Sequence, residues 1–234
     1  MKITEAELQL RKQRIMDASF ALFCRYGIDK VTLSDIAAKA HVGDSTIYRY
    51  FGTKPLLVRD TLSVLWRAIG EQLEAAAETT AHFACLTGFE QLAIRLASFR
   101  NLYLDNADYI LFSYEAKFYL QRNNIQISPD EYDLLMHEIK GPCIATLDKG
   151  KADGTIPLRE DSEDIFYAIW GAVRGYIVKI VIYEGLCRDH SPWESRFNLL
   201  VKGILSAVSH KWELPHSDLE FEALFERKTG MPND

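Results

Sequence analysis

The stretch VTLSDIAAKAHVGDSTIYRYFGTK, residues 31–54, decides the fold of this chain. Its pattern predicts two short helices, at 33–40 and 45–51, joined by a tight polar turn that contains a glycine. Thr32, followed three residues later by Asp35, forms a T-x-x-D capping box, which marks the start of a helix. We therefore expect a helix-turn-helix.

The second of these helices is anchored by two apolar residues. Ile47 and Phe51 are four positions apart, so they share one side of a helix. Asp44 or Ser45 is suited to cap its N-terminus. A short helix that presents hydroxyl, aromatic and guanidinium groups suits the major groove of DNA. The groups that point more or less outward are Thr46, Tyr48, Arg49 and Tyr50.

Three runs in this region resemble the N-terminal DNA-binding domain of the TetR (tetracycline-repressor-like) family of bacterial transcription regulators. They are I-x-x-A-S-F-x-L-F-x-x-Y-G (Ile15 to Gly27), V-T-L-S-D-I-A-x-x-A and T-I-Y-R-Y-F-x-x-K. The family usually has a V-S-x-G-T turn, often with a lysine, where this chain has Val42-Gly43-Asp44-Ser45. An acid there weakens contacts with phosphates or bases, so an operator sequence does not carry over from the family.

The resemblance implies an all-α protein with two domains. Residues 1–54 would form a three-helix helix-turn-helix DNA-binding domain, and residues 55–234 a larger helical domain for effector binding and dimerisation. The implied function is that of a homodimeric, ligand-responsive repressor, which binds a double-stranded DNA operator and releases it when a small molecule binds. The residues that match DNA contacts in the family are Thr32, Lys39, Ser45, Thr46, Tyr48, Arg49, Tyr50 and Lys54. We assign Tyr48 and Lys54 to phosphates, and Arg49 is the candidate for reading a base.

The charge distribution is compatible with DNA binding although the net charge is −6. Residues 1–60 carry ten Lys/Arg and seven Asp/Glu, whereas residues 61–234 carry 17 and 26. Phosphate neutralisation depends on which face carries the cations, so a basic N-terminal domain on an acidic body is consistent with a DNA partner.

Composition predicts a globular protein kept in the cytoplasm. Hydrophobic residues make up 48% and charged residues 26% of the 234 residues. No run approaches the roughly 20 apolar residues that span a bilayer, and the charged N-terminus is unlike a signal peptide. The four cysteines form no C-x-x-C pair, so we expect buried free thiols.

Helical periodicity extends over nearly the whole chain, and strand signals are weak. Ser128 and Ser191 each begin an S-P-x-E tetrad, which is typical of a helix start. Gly141-Pro142 should kink or split the helix that contains it. The predicted helices are 5–26, 33–40, 45–51, 54–79, 83–104, 107–123, 129–151, 161–185 and 192–211, with a short one at 217–227.

The helices at 161–185 and 192–211 are apolar over more than one face. Such a helix needs a second burial partner, which could be the core of a monomer or another subunit. The resemblance favours a dimeric four-helix bundle, and Gly171 and Gly175 would allow close approach. The predicted interface residues are Ile169, Val173, Phe197, Val201, Ile204 and Val208.

Aromatic residues are dense between 83 and 132, where they could form core or a binding site. The resemblance implies an effector pocket here, mainly apolar, with one polar handle for a small organic molecule. The predicted wall residues are Trp66, Arg95, Phe99, Tyr103, Phe112, Tyr119, Trp170 and Arg174. The helix at 54–79 would transmit ligand binding to the DNA-binding domain, because it belongs to both domains.

Signals for an enzyme are weak. The sequence contains no G-x-S-x-G, H-E-x-x-H, P-loop or G-x-G-x-x-G motif. Glu78 and His82 are spaced as metal ligands, but such a pair arises too often by chance to predict a site, so we predict no cofactor or metal. Two alternatives stay open: a small-molecule enzyme or carrier with a similar N-terminus, and a constitutive DNA-binding protein without an effector.

Overall fold

The computed structural model describes residues 4–80, 82–187 and 193–209. Every regular element in this part of the chain is a helix, which confirms the all-α prediction. The helices are α1 (Glu5–Tyr26), α2 (Leu33–Ala40), α3 (Asp44–Phe51), α4 (Lys54–Glu78), a 3₁₀ turn (Phe83–Cys85), α5 (Gly88–Asp105), α6 (Ala107–Arg122), α7 (Pro129–Ala152), α8 (Ser162–Cys187) and α9 (Trp193–Ser209). The predicted helix at 217–227 and the Ser191 cap lie outside the described residues.

Reciprocal capping boxes fix where several helices begin, because each satisfies two backbone N–H groups that the helix leaves free. The predicted boxes at Thr32 and Ser128 are both formed. A third box, Thr87 with Glu90, starts α5 at Gly88, five residues later than the predicted start at 83. The segment predicted as one helix from 83 is therefore a 3₁₀ turn followed by a separate α-helix.

One local prediction, the N-cap of α3, is wrong. Gly43, not Asp44 or Ser45, is the N-cap of α3, and it provides no side-chain cap. The Asp44 carboxylate instead accepts a hydrogen bond of 2.5 Å from the Ser34 hydroxyl, which ties α3 to α2. Pro142 lies inside α7 without splitting it. Ile139, Cys143 and Leu147 are buried around it, so packing holds the helix together across the proline.

The N-terminal helices and the body share one continuous cluster of buried side chains. In the head, defined here as α1, α2 and α3, this core includes Ile15, Phe23, Ile36, Ile47 and Phe51. Helix α4 begins directly after α3, with Thr53 as its N-cap. It packs against α1 and α3 of the head and against α5, α6 and α7 of the body. It therefore joins the two parts, as the sequence predicted.

Helix α8 is more apolar than we expected from the sequence. Its segment Ser162–Ile182 is long and apolar enough to cross a membrane by length and composition, with a mean hydropathy of 1.6. Within the molecule 44% of that segment is buried, and the core helix of a soluble protein passes the same test. The cysteine prediction holds for Cys143, which is buried, but Cys85 is exposed.

Candidate nucleic-acid interface and effector cavity

One face of α3 is exposed and polar. Ile47 and Phe51 are buried against the head, as predicted. Ser45, Tyr48 and Arg49, at positions i, i+3 and i+4, are exposed, and Tyr48 keeps 57% of its surface accessible. Residues at this spacing lie side by side on a helix. They therefore form a continuous polar surface of the width that a major groove admits.

Contacts inside the head hold some of the predicted DNA-binding side chains in place. The Arg49 guanidinium donates to the Tyr50 hydroxyl at 3.2 Å and lies 4.9 Å from the centre of its ring. The Thr32 hydroxyl is part of the α2 capping box, in which it accepts from the Asp35 N–H. Lys39 is exposed on α2, and Thr46 is half-buried on α3. These positions remain predictions for DNA contact.

The turn between α2 and α3 closes on His41. This residue is in the left-handed conformation, with φ 55°, and the Val42 N–H donates to the Ala37 carbonyl at 3.0 Å. That bond satisfies one of the last carbonyls of α2 and turns the chain sharply toward α3. The tight turn between the two helices is thus built from backbone bonds.

The loop between α1 and α2 is attached to the body through α6. Gly27 ends α1 with φ 81° and ψ 150°, a conformation that only glycine adopts readily. The next residue, Ile28, donates its N–H to Glu115 Oε1 at 2.6 Å. Arg122 pairs with Asp29 at 3.3 Å, so two side chains of α6 hold this loop.

Lys54 lies at the same junction. Its Nζ donates to the Asp29 carbonyl at 3.4 Å and lies 5.5 Å from the centre of the Tyr119 ring. Burial lowers the pKa of this ammonium. Lys54 therefore has partners within the subunit that compete with the phosphate contact assigned to it from the sequence.

The second candidate site is an aromatic cavity of about 40 Å³ between α4, α5, α6 and α8. Its volume is close to the roughly 30 Å³ that one water molecule occupies in the liquid. Four predicted wall residues line it: Trp66, Phe99, Trp170 and Arg174. The other lining residues are Ile69, Ile110, Ser113 and Ile177.

Two cations lie beside this cavity, against aromatic rings. The Arg174 guanidinium is 4.8 Å from the centre of the Tyr114 ring and 4.9 Å from that of Trp66. Lys117 Nζ is 4.8 Å from the centre of the Trp66 ring. Burial, with a smaller effect from Arg174, lowers the pKa of Lys117 to about 8. Burial also lowers the pKa of Arg174.

Three of the remaining predicted wall residues, Arg95, Phe112 and Tyr119, do not line this cavity. Arg95 forms a bidentate ion pair with Glu74, at 2.5 and 3.1 Å, and donates to Thr146, so its charge is already neutralised. Phe112 is stacked on Phe23 at the junction with the head. Tyr119 lies beside Lys54 there. The side chain of Tyr103 is outside the described part of the structure.

A larger cleft, of about 290 Å³, opens between α4 and α7. It is lined by charges of both signs, and Arg59 and Asp60 are paired at 2.9 Å. Ligand sites are mostly apolar with a few polar groups, a description that fits the aromatic cavity better. The lining of the cleft is Arg59, Asp60, Ser63, Arg67, Ile127, Glu131 and Glu138.

Comparison with known proteins identifies the N-terminal part. Residues 15–60 match the model of the family described as "Bacterial regulatory proteins, tetR family". This range contains the second half of α1, all of α2 and α3 with its exposed face, and the start of α4. Residues 15–60 are a TetR-family DNA-binding domain. A search of curated protein sequences found no match.

Solved structures show that the TetR-family fold extends over the rest of the described chain. A TetR-family transcription regulator from Marinobacter aquaeolei VT8 is 13% identical, with a TM-score of 0.61 over 89% of this chain and 100% of that one. The transcriptional regulator FadR from Bacillus subtilis, solved in complex with stearoyl-CoA, is 18% identical, with a TM-score of 0.60 over 84% and 98%. These structural relatives are transcription regulators, not enzymes.

The predicted interface residues divide into two groups by solvent exposure. Val173, Phe197 and Val208 are 0%, 1% and 4% exposed, so they belong to the core of one subunit and offer no surface to another. This corrects their assignment. Ile169, Val201 and Ile204 are half-buried. Gly171 and Gly175 have nothing within 4 Å of an added Cβ, so they lie on an open face of α8.

Sequence reasoning missed Lys117 and the role of α6 in the TetR-like body. Lys117 follows Tyr114 by three positions and lies between Ala116 and Phe118, so it occupies an apolar stretch of a predicted helix. A lysine in such a position could have been flagged, although lone lysines on helices are usually solvated. Glu115, two positions earlier on the same helix, binds the loop between α1 and α2.

Proposed function

We propose that this protein is a homodimeric, ligand-responsive transcription regulator, and that it represses by binding a double-stranded DNA operator in the cytoplasm. The observation that carries the proposal is the exposed Ser45, Tyr48 and Arg49 face of α3 within a TetR-family DNA-binding domain. Each subunit places α3 in a major groove, and the two copies lie about one DNA turn, roughly 34–36 Å, apart.

The effector is a small, mainly apolar molecule that occupies the aromatic cavity. The cavity is lined by six apolar or aromatic residues, with Ser113 and Arg174 as the polar groups. At about 40 Å³ it must expand to admit an organic molecule, so binding requires the surrounding helices to move. FadR from Bacillus subtilis was solved with stearoyl-CoA. That ligand is far larger than this cavity, so we propose a smaller effector here.

Helix α6 is suited to transmit this movement because it contributes to both sites. Ile110 and Ser113 line the cavity. Glu115 and Arg122 hold the loop between α1 and α2. A ligand that displaces α6 therefore shifts the head and changes the spacing of the two copies of α3. Such a ligand lowers operator affinity, and DNA lowers ligand affinity by the same factor. Helix α4, the predicted lever, acts together with α6.

The open faces of α8 and α9 support a dimer. Ile182 and Leu199 are 43% and 68% exposed, and Gly171 and Gly175 leave room for a helix to approach closely. Two such helices from each subunit would bury one another's apolar surface, which the isolated subunit leaves exposed. We infer that α8 and α9 form the interface.

Two observations favour this function over the alternatives. The structural relatives named above are transcription regulators. An enzyme is therefore the weaker interpretation. A constitutive DNA-binding protein has no need of a cavity with unpaired donors, so the cavity favours an effector.

Selection of random DNA fragments with the purified protein tests the proposal. We expect a near-palindromic sequence to be enriched. The Tyr48→Ala and Arg49→Ala variants should no longer bind it. Arg159→Ala is the control for Arg49→Ala, because Arg159 is an exposed arginine outside the head. If the control variant loses binding as fully as Arg49→Ala, or no sequence is enriched, the proposal is wrong.

A further inference from the structure

The cations at the aromatic cavity have no counter-charge within the described part of the chain. Neither Lys117 nor Arg174 forms an ion pair or a hydrogen bond there. Both cationic groups lie over the Trp66 ring, and Arg174 also lies 5.9 Å from the centre of the Trp170 ring. Buried charges are normally paired, because removing an ion from water is costly. The pair of cations is therefore an uncompensated positive site.

Two hydrogen-bond donors at the same place are also unused. Arg174 Nη2 and Trp170 Nε1 are buried and have no hydrogen-bond partner among the described residues. Both residues line the cavity. Buried donors of this kind are rare in native proteins, since each leaves the cost of its desolvation unrecovered. A single acceptor group bound in the cavity could accept hydrogen bonds from both donors.

Carboxylates on the neighbouring helices are engaged elsewhere. Glu74 of α4 pairs with Arg95. Glu115 of α6 accepts from Ile28. Asp133 of α7 and Glu163 of α8 both pair with Lys140. These four side chains are engaged with other groups, so none of them neutralises Arg174 or Lys117.

We propose that the effector is an organic monocarboxylate, whose carboxylate binds Arg174, Lys117 and the Trp170 indole N–H while its small apolar or aromatic body fills the cavity. A guanidinium binds a carboxylate by two parallel hydrogen bonds, which orients the ligand. Rings of Trp66 and Phe99 form apolar walls for the body. This inference rests on the proposed function only in calling the bound acid the effector; the binding itself is independent of DNA.

The test compares acids with their neutral amides of the same shape. The probes are benzoate and benzamide, phenylacetate and phenylacetamide, and hexanoate and hexanamide, at constant ionic strength. Tryptophan fluorescence and the melting temperature of the full-length protein report binding, because Trp66 and Trp170 line the cavity. At least one acid should bind about tenfold more tightly than its amide, as one charge-assisted hydrogen bond implies.

Variants assign the binding to these residues. Arg174→Gln and Lys117→Gln should each weaken binding of the acid about tenfold or more and leave the amide unaffected. Arg174→Lys keeps the charge but loses the planar guanidinium. Its affinity for the acid should lie between that of wild type and that of Arg174→Gln. Arg159→Gln, at an exposed arginine, is the control. Circular dichroism of each variant confirms that it is folded before binding is measured.

The outcomes separate this inference from the proposed function. If no acid binds more tightly than its amide, or if Arg174→Gln and Arg159→Gln behave alike, the carboxylate site is wrong, whether or not the protein binds DNA. If an acid binds through Arg174 but leaves operator affinity unchanged, the site stands and the ligand response of the proposed function is wrong. Binding with release of the operator supports both.

Discussion

Lys117 is a buried cation at the proposed ligand site, and its burial lowers the stability of the folded protein. Its ammonium lies against Trp66 and 6.0 Å from the centre of the Tyr132 ring, with Arg174 as its charged neighbour. Burial lowers its pKa to about 8, below the ordinary value of roughly 10.4 for lysine. The folded protein therefore holds the charged form of Lys117 at a cost in free energy.

This cost predicts a pH-dependent effect of Lys117→Met. Below pH 8 the lysine is charged in both states, and the variant should be more stable than wild type by about 1–3 kcal/mol. Between pH 8 and about 10 the unfolded chain binds more protons at Lys117 than the folded one. The free energy of unfolding of wild type therefore rises with pH, and the stability advantage of the variant decreases. Urea denaturation of both proteins at pH 7, 8 and 9.5 measures this. A variant less stable than wild type at pH 7 would contradict it.

At the scale of the helices, close packing of α5 against α7 depends on small residues. A Cβ added at Gly88 would overlap the backbone N and Cα of Gly150 and would lie 2.8 Å from the Thr146 carbonyl oxygen. Backbone cannot move aside as a flexible side chain can. The first turn of α5 is also fastened to the end of α7, because the Gly88 N–H donates to Asp153 at 2.8 Å.

We expect opposite effects from alanine at two glycines. Gly88→Ala should lower the free energy of unfolding by about 3 kcal/mol, the upper end for overpacking, because α5 has to shift away from α7. Gly171→Ala, on the open face of α8, should raise the stability of the isolated subunit by up to about 1 kcal/mol through helix propensity. Urea denaturation compares them. Equal stabilities for the two variants would show that α5 and α7 do not pack as described.

Local signals in the sequence were sufficient to predict most helices, and long-range contacts were not. The Thr32 and Ser128 capping boxes depend on residues three apart, so the sequence shows them directly. The bond between Ile28 and Glu115 joins residues 87 positions apart, and no local pattern encodes it. Val173 illustrates the same limit, because an apolar residue on a two-sided helix can face its own subunit or another, and only packing decides.

For the whole molecule, the proposed dimer has a direct test at Gly175. Gly175→Gln adds a side chain where the subunit has open space, so the isolated subunit should fold normally and gain about 1 kcal/mol in helix stability. In a dimer that packs closely through α8 the same side chain would separate the helices. Analytical ultracentrifugation should show a dimer for wild type and a monomer for the variant. Ala145→Gln, on the exposed side of α7, is the control. A dimeric Gly175→Gln protein would move the interface elsewhere.

Sequence-specific DNA binding by α3 is the central feature of the proposed function. The decisive measurement is the affinity of the protein for its selected operator and for a scrambled duplex, by fluorescence anisotropy over a range of salt concentrations. We predict at least about a thousandfold preference for the operator at physiological salt, and a steep fall of affinity with salt for both duplexes. Arg49→Ala should reduce the preference if Arg49 reads a base, or lower the salt slope by about one if it binds a phosphate. Equal affinity of wild type for the two duplexes would contradict the assignment of this protein as a transcription regulator.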